Sequence, residues 1–220
     1  MKLTLSFDNG PHPEATPRVL DVLARHGIRA HFFVLGKQIA TDEGRALVER
    51  ALADGHLVGN HSYSHSVPLG DDRRPDAVAR EIVATDELLA PLTPGVRVFR
   101  PFGGGGAIGP HLFSEAAIEH LRASGYTCVL WNSVPGDWLD PSGWPTTALA
   151  DMSRQGHTLM VLHDLPGACA AALEGFVVEA RRRGVEFTLE LPPGCVPIVE
   201  GKVVGDLGPL VRATAEQGAA

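Results

Sequence analysis

The sequence predicts an α/β fold: a distorted (β/α)7-type barrel, with mostly parallel strands inside and helices outside. Three observations lead there. Runs of β-forming residues alternate with helical patterns about seven times along the 220 residues. No internal repeat, low-complexity block or long linker interrupts that rhythm. Polar residues of complementary chemistry recur where the β runs stop, which is where a parallel barrel gathers its chemistry. A doubly wound open sheet is the architectural alternative.

The first strand is expected at 3–7 and ends in the abrupt turn Asp8-Asn9-Gly10-Pro11. A helix at 16–26 follows, with Pro17 suited to its first turn and Gly27 at its stop. RAHFFVL at 29–35 reads as the second strand, 42–54 as a helix stopped by Gly55, and 56–59 as a short third strand. Next come a strongly helical stretch at 76–89, a strand at 97–99, a helix at 112–123 and a strand at 127–131. A helix at 144–154, a strand at 158–162, a helix at 168–183 and a strand at 185–189 complete the series. Arg181-Arg182-Arg183 suits the end of that last helix, where cations meet the negative pole of the helix dipole. Residues 1–190 are thus the barrel. Residues 191–220 break the rhythm and form a C-terminal extension of the same domain, with the last few residues expected to fray.

A chain that is 44% hydrophobic and 20% charged can bury a core. Its formal charge of −7 argues against nucleic acid or an anionic membrane as partner, because both reward clustered cations. No apolar run is long enough to span a bilayer, and strand-like sequence begins at Lys2 with no leader ahead of it, so a cytoplasmic location is expected. Cys128, Cys169 and Cys195 show neither metal nor disulfide spacing and read as buried thiols.

Polar groups from five strand ends are expected on one rim: Asp8 and Asn9, His61 and His65, Arg100, Asp137 and Trp138, and His163 with Asp164. His61 and His65 lie four apart, a spacing that lets both share a cation on one helical turn. Asp8 is the candidate general base for an attacking water, with Arg100 placed to orient it and lower its pKa. His163 is the candidate proton donor and Asp137 the acid that fixes its tautomer. In Arg100-Pro-Phe-Gly-Gly-Gly-Gly106 the glycines allow close backbone approach, so an N–H near Phe102 and Gly103 is a candidate oxyanion donor. A phosphate cradle lacks the Lys that its motif requires. His31 and His12 are further candidate ligands, with packed or solvated rings as the alternative.

At this point SFDNGP resembles the TFDDGP of the polysaccharide deacetylases, the NodB-like carbohydrate esterases. The resemblance continues in family order through AHFFVLG, GNHSYSH, FRPFG, GDW and VLHD, and covers roughly residues 3–187. It implies a distorted barrel and a divalent metal, usually zinc. It also implies hydrolysis of N-acetyl groups on amino sugars, with a small molecule or oligosaccharide as substrate. Carried over, Asp8 is the base, Arg100 its orienting partner, His163 the acid and Asp137 its tuner. His61 and His65 are then metal ligands, and Phe102 and Gly103 supply the oxyanion donor. Four positions depart from the family pattern. Asn9 replaces a metal-ligand Asp, the R-P-P-Y-G motif is one residue shorter, Val134 replaces the first Asp of D-x-x-D-W, and Gly103 to Gly106 replace ordinary loop. An amide oxygen is neutral, so the expected metal site is weakened. Two alternatives follow: a metal-independent hydrolase of cyclic imides or ureides, and an inactive barrel that binds a sugar or a partner.

Overall fold

The computed structural model describes residues 1–213. The expected fraying of the chain's last few residues falls outside them. Strand β1, Lys2–Asp8, is the axis of the architecture. Its residues alternate strictly, as successive side chains on a strand must. Leu3, Leu5 and Phe7 join Val19, Leu20 and Leu23 of helix α1 (Ala15–Arg25) in the outer core. Thr4, Ser6 and Asp8 are buried on the opposite, inward face. A polar inward face is affordable only if its groups are bonded. Thr4 Oγ1 donates to the Glu190 carbonyl at 2.5 Å and Ser6 Oγ to the Met160 carbonyl at 2.7 Å.

The chain continues through β2 (His31–Val34), α2 (Gly36–Ile39), α3 (Asp42–Ala53) and β3 (Leu57–Asn60). A π-helical turn at Ala79–Val83 leads into α4 (Ala84–Leu89), then β4 (Val98–Phe99), α5 (Glu115–Ala123) and β5 (Thr127–Cys128). Next come α6 (Trp144–Ser153), β6 (His157–His163), α7 (Leu173–Arg182) and β7 (Glu186–Phe187). A hairpin of β8 (Ile198–Val199) and β9 (Lys202–Val203) completes the sheet.

The sheet runs β6-β1-β2-β3-β4-β5-β8-β9, with the first six strands parallel. Beyond β5 the chain swings back to β6. Ser133 bridges Met160 in parallel, and the Ser133 carbonyl accepts the Val161 N–H at 2.9 Å. That return curls the sheet into a distorted (β/α) barrel and rules out the doubly wound open sheet. Phe33, Val129, Leu159 and Cys195 pack together as a small separate core.

Several expected elements are shorter than the sequence implies, each for a local reason. The strand expected at 127–131 stops at Cys128 because the carbonyls of Val129 and Leu130 accept from the buried Arg100 side chain, at 3.3 and 3.1 Å. The helix expected at 112–123 starts at Glu115, capped by Ser114, because Leu112 and Phe113 turn wholly into the core. The helix expected at 168–183 begins at Leu173, after a 3₁₀ turn at Cys169–Ala171. The strand expected at 185–189 pairs only at Glu186–Phe187, against the first residues of β1. Since β6 runs along one whole edge of β1, β7 and β2 share the other edge.

The extension has a defined place. Its hairpin turns through Glu200 and Gly201, both at positive φ (47° and 78°), the conformation a two-residue hairpin loop requires. β8 pairs antiparallel with β5 through Cys128 and Ile198, so this edge is covered. The three cysteines are free and buried. No helix among the described residues is long and apolar enough to cross a membrane.

Candidate active site

Parallel pairing brings Asp8, the last residue of β1, level with His163, the last residue of β6. The other groups arrive on the same rim. His61 follows β3 directly, with its N–H donated to the Val34 carbonyl at 2.9 Å. Arg100 follows β4 and donates its N–H to the Asn60 carbonyl at 2.9 Å. A cavity of about 240 Å³ opens here. Asp8, Asn9, His61, His65, Phe102, Gly103, Trp138 and His163 all line it. Arg100 and Asp137 lie wholly buried behind it, each on a lining residue.

Arg100 Nη1 donates to Asp8 Oδ1 at 2.8 Å and to Ser6 Oγ at 2.7 Å, and its guanidinium lies 3.9 Å from the Phe33 ring centre. Burial by itself would raise the Asp8 carboxyl. The Arg100 charge, with contributions from His61 and His163, outweighs it and holds Asp8 below the ordinary carboxylate value. Asp8 is therefore ionised at neutral pH.

His163 has the opposite setting. Its Nδ1–H donates to Asp137 Oδ1 at 2.8 Å, and its backbone N–H donates to Asp137 Oδ2 at 2.8 Å. Burial would lower this imidazole, but the Asp137 hydrogen bond and the charges of Asp137, Asp8 and Asp164 raise it. The bonded Nδ1 leaves Nε2 for the cavity, and the Trp138 ring stands edge-on at 4.8 Å between centroids. Asp164, next along, is fully buried with Oδ2 accepting from Thr16 Oγ1 at 2.5 Å, and burial lifts its carboxyl to about 6.

His61 and His65 are both held neutral. Burial lowers His61, and burial together with the neighbouring His61 lowers His65 to about 3. Their rings are 5.0 Å apart, and Phe102 packs on His65 at 3.7 Å. His61 Nδ1 lies 2.9 Å from the Arg100 carbonyl, which only accepts, so Nδ1 carries the proton. The bare Nε2 then faces Asp8 Oδ2 at 3.6 Å, acceptor against acceptor. Asn9 sits at φ 75°, and its buried Oδ1 has no hydrogen-bond partner. Among the described residues no three His, Cys, Asp or Glu side chains form a metal-binding group. Two imidazoles and an orphaned amide oxygen nevertheless suit a divalent cation. The neutral amide makes that site weaker than one completed by a carboxylate.

Comparison with known proteins fits this arrangement. The pattern of the polysaccharide deacetylase family matches residues 1–129. The chain belongs to that family. It is accordingly an enzyme of polysaccharide-deacetylase type, a hydrolase. A chitooligosaccharide deacetylase from Rhizobium leguminosarum bv. phaseoli is 33% identical over 74% of this chain and 67% of its own length. Among solved structures, a peptidoglycan N-acetylglucosamine deacetylase superposes with a TM-score of 0.70 at 26% identity, covering 85% of each chain. A family 4 acetyl xylan esterase from Clostridium thermocellum, in complex with a cobalt ion, gives 0.67 at 26% identity, covering 86% of this chain and 87% of its own.

Within this deacetylase the two further candidate ligands, His31 and His12, stand apart from the cavity. His31 Nε2 bonds the Leu189 carbonyl at 2.9 Å, and His12 Nδ1 accepts the Glu14 N–H at 3.2 Å. Sequence reasoning missed several contributors. Ser6 shares the Arg100 donor, and its signal was a polar residue on the inward parity of β1. Glu81 accepts from Ser64 N–H at 2.9 Å and Ser64 Oγ at 2.7 Å, clamping the loop between the two cavity histidines, yet it reads as an ordinary helix acid. Trp131 and Leu165 line the cavity and carry no sequence signal beyond hydrophobicity.

Proposed function

We propose that this enzyme hydrolyses the N-acyl amide of an acetylated amino sugar, free or within an oligosaccharide. The observation that carries this reading is the meeting of two oppositely tuned pairs across one cavity, Asp8–Arg100 and Asp137–His163. Ionised Asp8 takes a proton from water as the water oxygen bonds to the carbonyl carbon. Protonated His163 gives its Nε2 proton to the nitrogen as the C–N bond breaks. The products are the free amine and a carboxylic acid, and every proton is accounted for. The backbone at Phe102 and Gly103, on the cavity wall, is the candidate donor to the developing oxyanion. His61, His65 and Asn9 would hold a divalent metal, for which zinc is the expected ion. When bound, it would polarise the carbonyl and acidify water.

The test is release of free amine from N-acetylglucosamine oligomers by purified protein, with and without chelator, and by Asp8→Ala. Loss of at least about 100-fold in Asp8→Ala is expected. Full activity in that variant would remove Asp8 as the base. A second reading, metal-free hydrolysis of a cyclic imide or ureide, is favoured by the neutral side chain of Asn9. Turnover of such a ring by metal-stripped protein, with none of the acetylated sugar, would establish it instead.

A further inference from the structure

A second cavity, of about 250 Å³, lies at the opposite end of the barrel from the Asp8–His163 pair. It is built on the first residues of three neighbouring strands: His31 opens β2, Leu57 opens β3 and Val98 opens β4. The chain beyond β7 supplies Leu189 and Leu191. That segment is tied to β1, with the Thr188 N–H donated to the Leu3 carbonyl at 3.0 Å and Thr4 Oγ1 donating to the Glu190 carbonyl at 2.5 Å. Phe33 borders the cavity and is held in place. The Arg100 guanidinium lies 3.9 Å from its ring centre, and a Cβ at Gly59 would stand 3.0 Å from the ring. Leu57 and Val96, 45% and 48% exposed, form the mouth.

Among the lining residues only His31 has a polar side chain. It is 5% exposed, and burial lowers its imidazole to about 4, so the ring is neutral. Nε2–H donates to the Leu189 carbonyl at 2.9 Å, an atom that only accepts. Nδ1 is therefore a bare acceptor, and it has no hydrogen-bond partner among the described residues. The Leu189 bond accounts for one ring nitrogen and leaves the other unused. A water beside Nδ1 would find one side-chain partner, fewer than the two to four that hold a buried water. A molecule with a single donor on a hydrocarbon body matches the cavity better. The His31 and Phe33 ring planes differ by 8°, so the two present parallel faces that suit a flat ring. An apolar cavity of about 150 Å³ is already enough for benzene. We propose that this cavity binds a small neutral phenol, with the hydroxyl donating to His31 Nδ1 and the ring packed against Phe33, Leu57 and Val98. The site is separate from the proposed amide hydrolysis and does not depend on it.

The experiment titrates the full-length protein with p-cresol and with toluene by calorimetry, and follows the His31 ring by nitrogen NMR. Toluene is the same methylated ring without the hydroxyl, and it leaves water more readily. A cavity that recognised hydrocarbon alone would therefore favour toluene. p-Cresol should instead bind with a Kd below about 1 mM, at least about fivefold tighter than toluene. The His31 Nδ1 resonance should move further with p-cresol than with toluene. His31→Leu should bring the affinity ratio to one or below. Val96→Trp changes an exposed residue at the mouth and should abolish binding of both probes. If His31→Leu does not fold, the wild-type ratio and Val96→Trp decide. Wild-type protein that binds p-cresol no tighter than toluene, or not at all below about 1 mM, would overturn the proposal. So would p-cresol binding that survives Val96→Trp, because the phenol would then sit elsewhere, or a ratio unchanged in folded His31→Leu.

Discussion

Asp8 and His163 sit level on neighbouring strands yet are tuned in opposite directions, by Arg100 and Asp137 respectively. A base must be ionised and an acid protonated, so the pH window follows from the two shifts. Activity should fall at low pH only as Asp8 takes up a proton, below the ordinary carboxylate range. It should fall at high pH as His163 loses its proton, above the ordinary imidazole value of 6.5. Asp137→Asn removes the largest of the interactions that raise His163. Its pH–rate profile should show the alkaline limb moved to lower pH, with kcat down about 100-fold or more. Asn9 carries a different prediction. Its left-handed backbone is one that Asn and Asp both tolerate, so Asn9→Asp should fold normally. Completing the site with a carboxylate should tighten zinc binding about tenfold or more, measured by competition with a chromophoric chelator. Unchanged affinity would mean that Asn9 Oδ1 does not face the ion.

At the scale of elements, the loop carrying His61 and His65 is held from below. Asn60 Nδ2 donates to the Ile82 carbonyl at 2.9 Å, while Asn60 Oδ1 accepts the Ser62 N–H at 2.9 Å. Glu81 takes both donors of Ser64 and is itself bridged by Arg74 at 2.9 Å. Glu81 and Ile82 both belong to the π-helical turn, a widening that recurs at functional sites. Glu81→Ala leaves the Ser64 N–H without its acceptor. Zinc affinity or kcat should drop about 10- to 100-fold, the usual cost of losing a supporting partner of a ligand. Glu81→Gln, which keeps one acceptor, should recover part of the loss. Equal thermal midpoints for the two variants would separate positioning from general destabilisation.

For the whole molecule, the most legible feature was the alternation of strands and helices, because hydrophobic periodicity is written locally. Asp8, His61, His65, Arg100, Asp137 and His163 were legible because each closes a strand or lies on the loop after it. Glu81 and Trp131 were not, since their roles come from neighbours distant in the chain. The extension was also opaque. Its use is to pair β8 with β5 and set Cys195 beside Phe33, Val129 and Leu159, none of which local sequence announces. Cutting the chain after residue 190 bares the β5 edge and these side chains. The truncated protein should unfold at lower temperature and self-associate, as read by calorimetry and light scattering. Equal midpoints and a monomeric profile would make the extension dispensable.

Arg100 draws these scales together. Its donors reach Ser6 and Asp8, 94 and 92 residues back, and two carbonyls on the far side of β5, with Phe33 of β2 against its face. One side chain thus needs β1, β2, β4 and the chain beyond β5 to be home before its charge is fully engaged. Until then Asp8 lacks the charge that offsets its burial. The chemistry therefore inspects the assembly: a copy with any of these segments out of place is silent, and turnover certifies that the ring has closed.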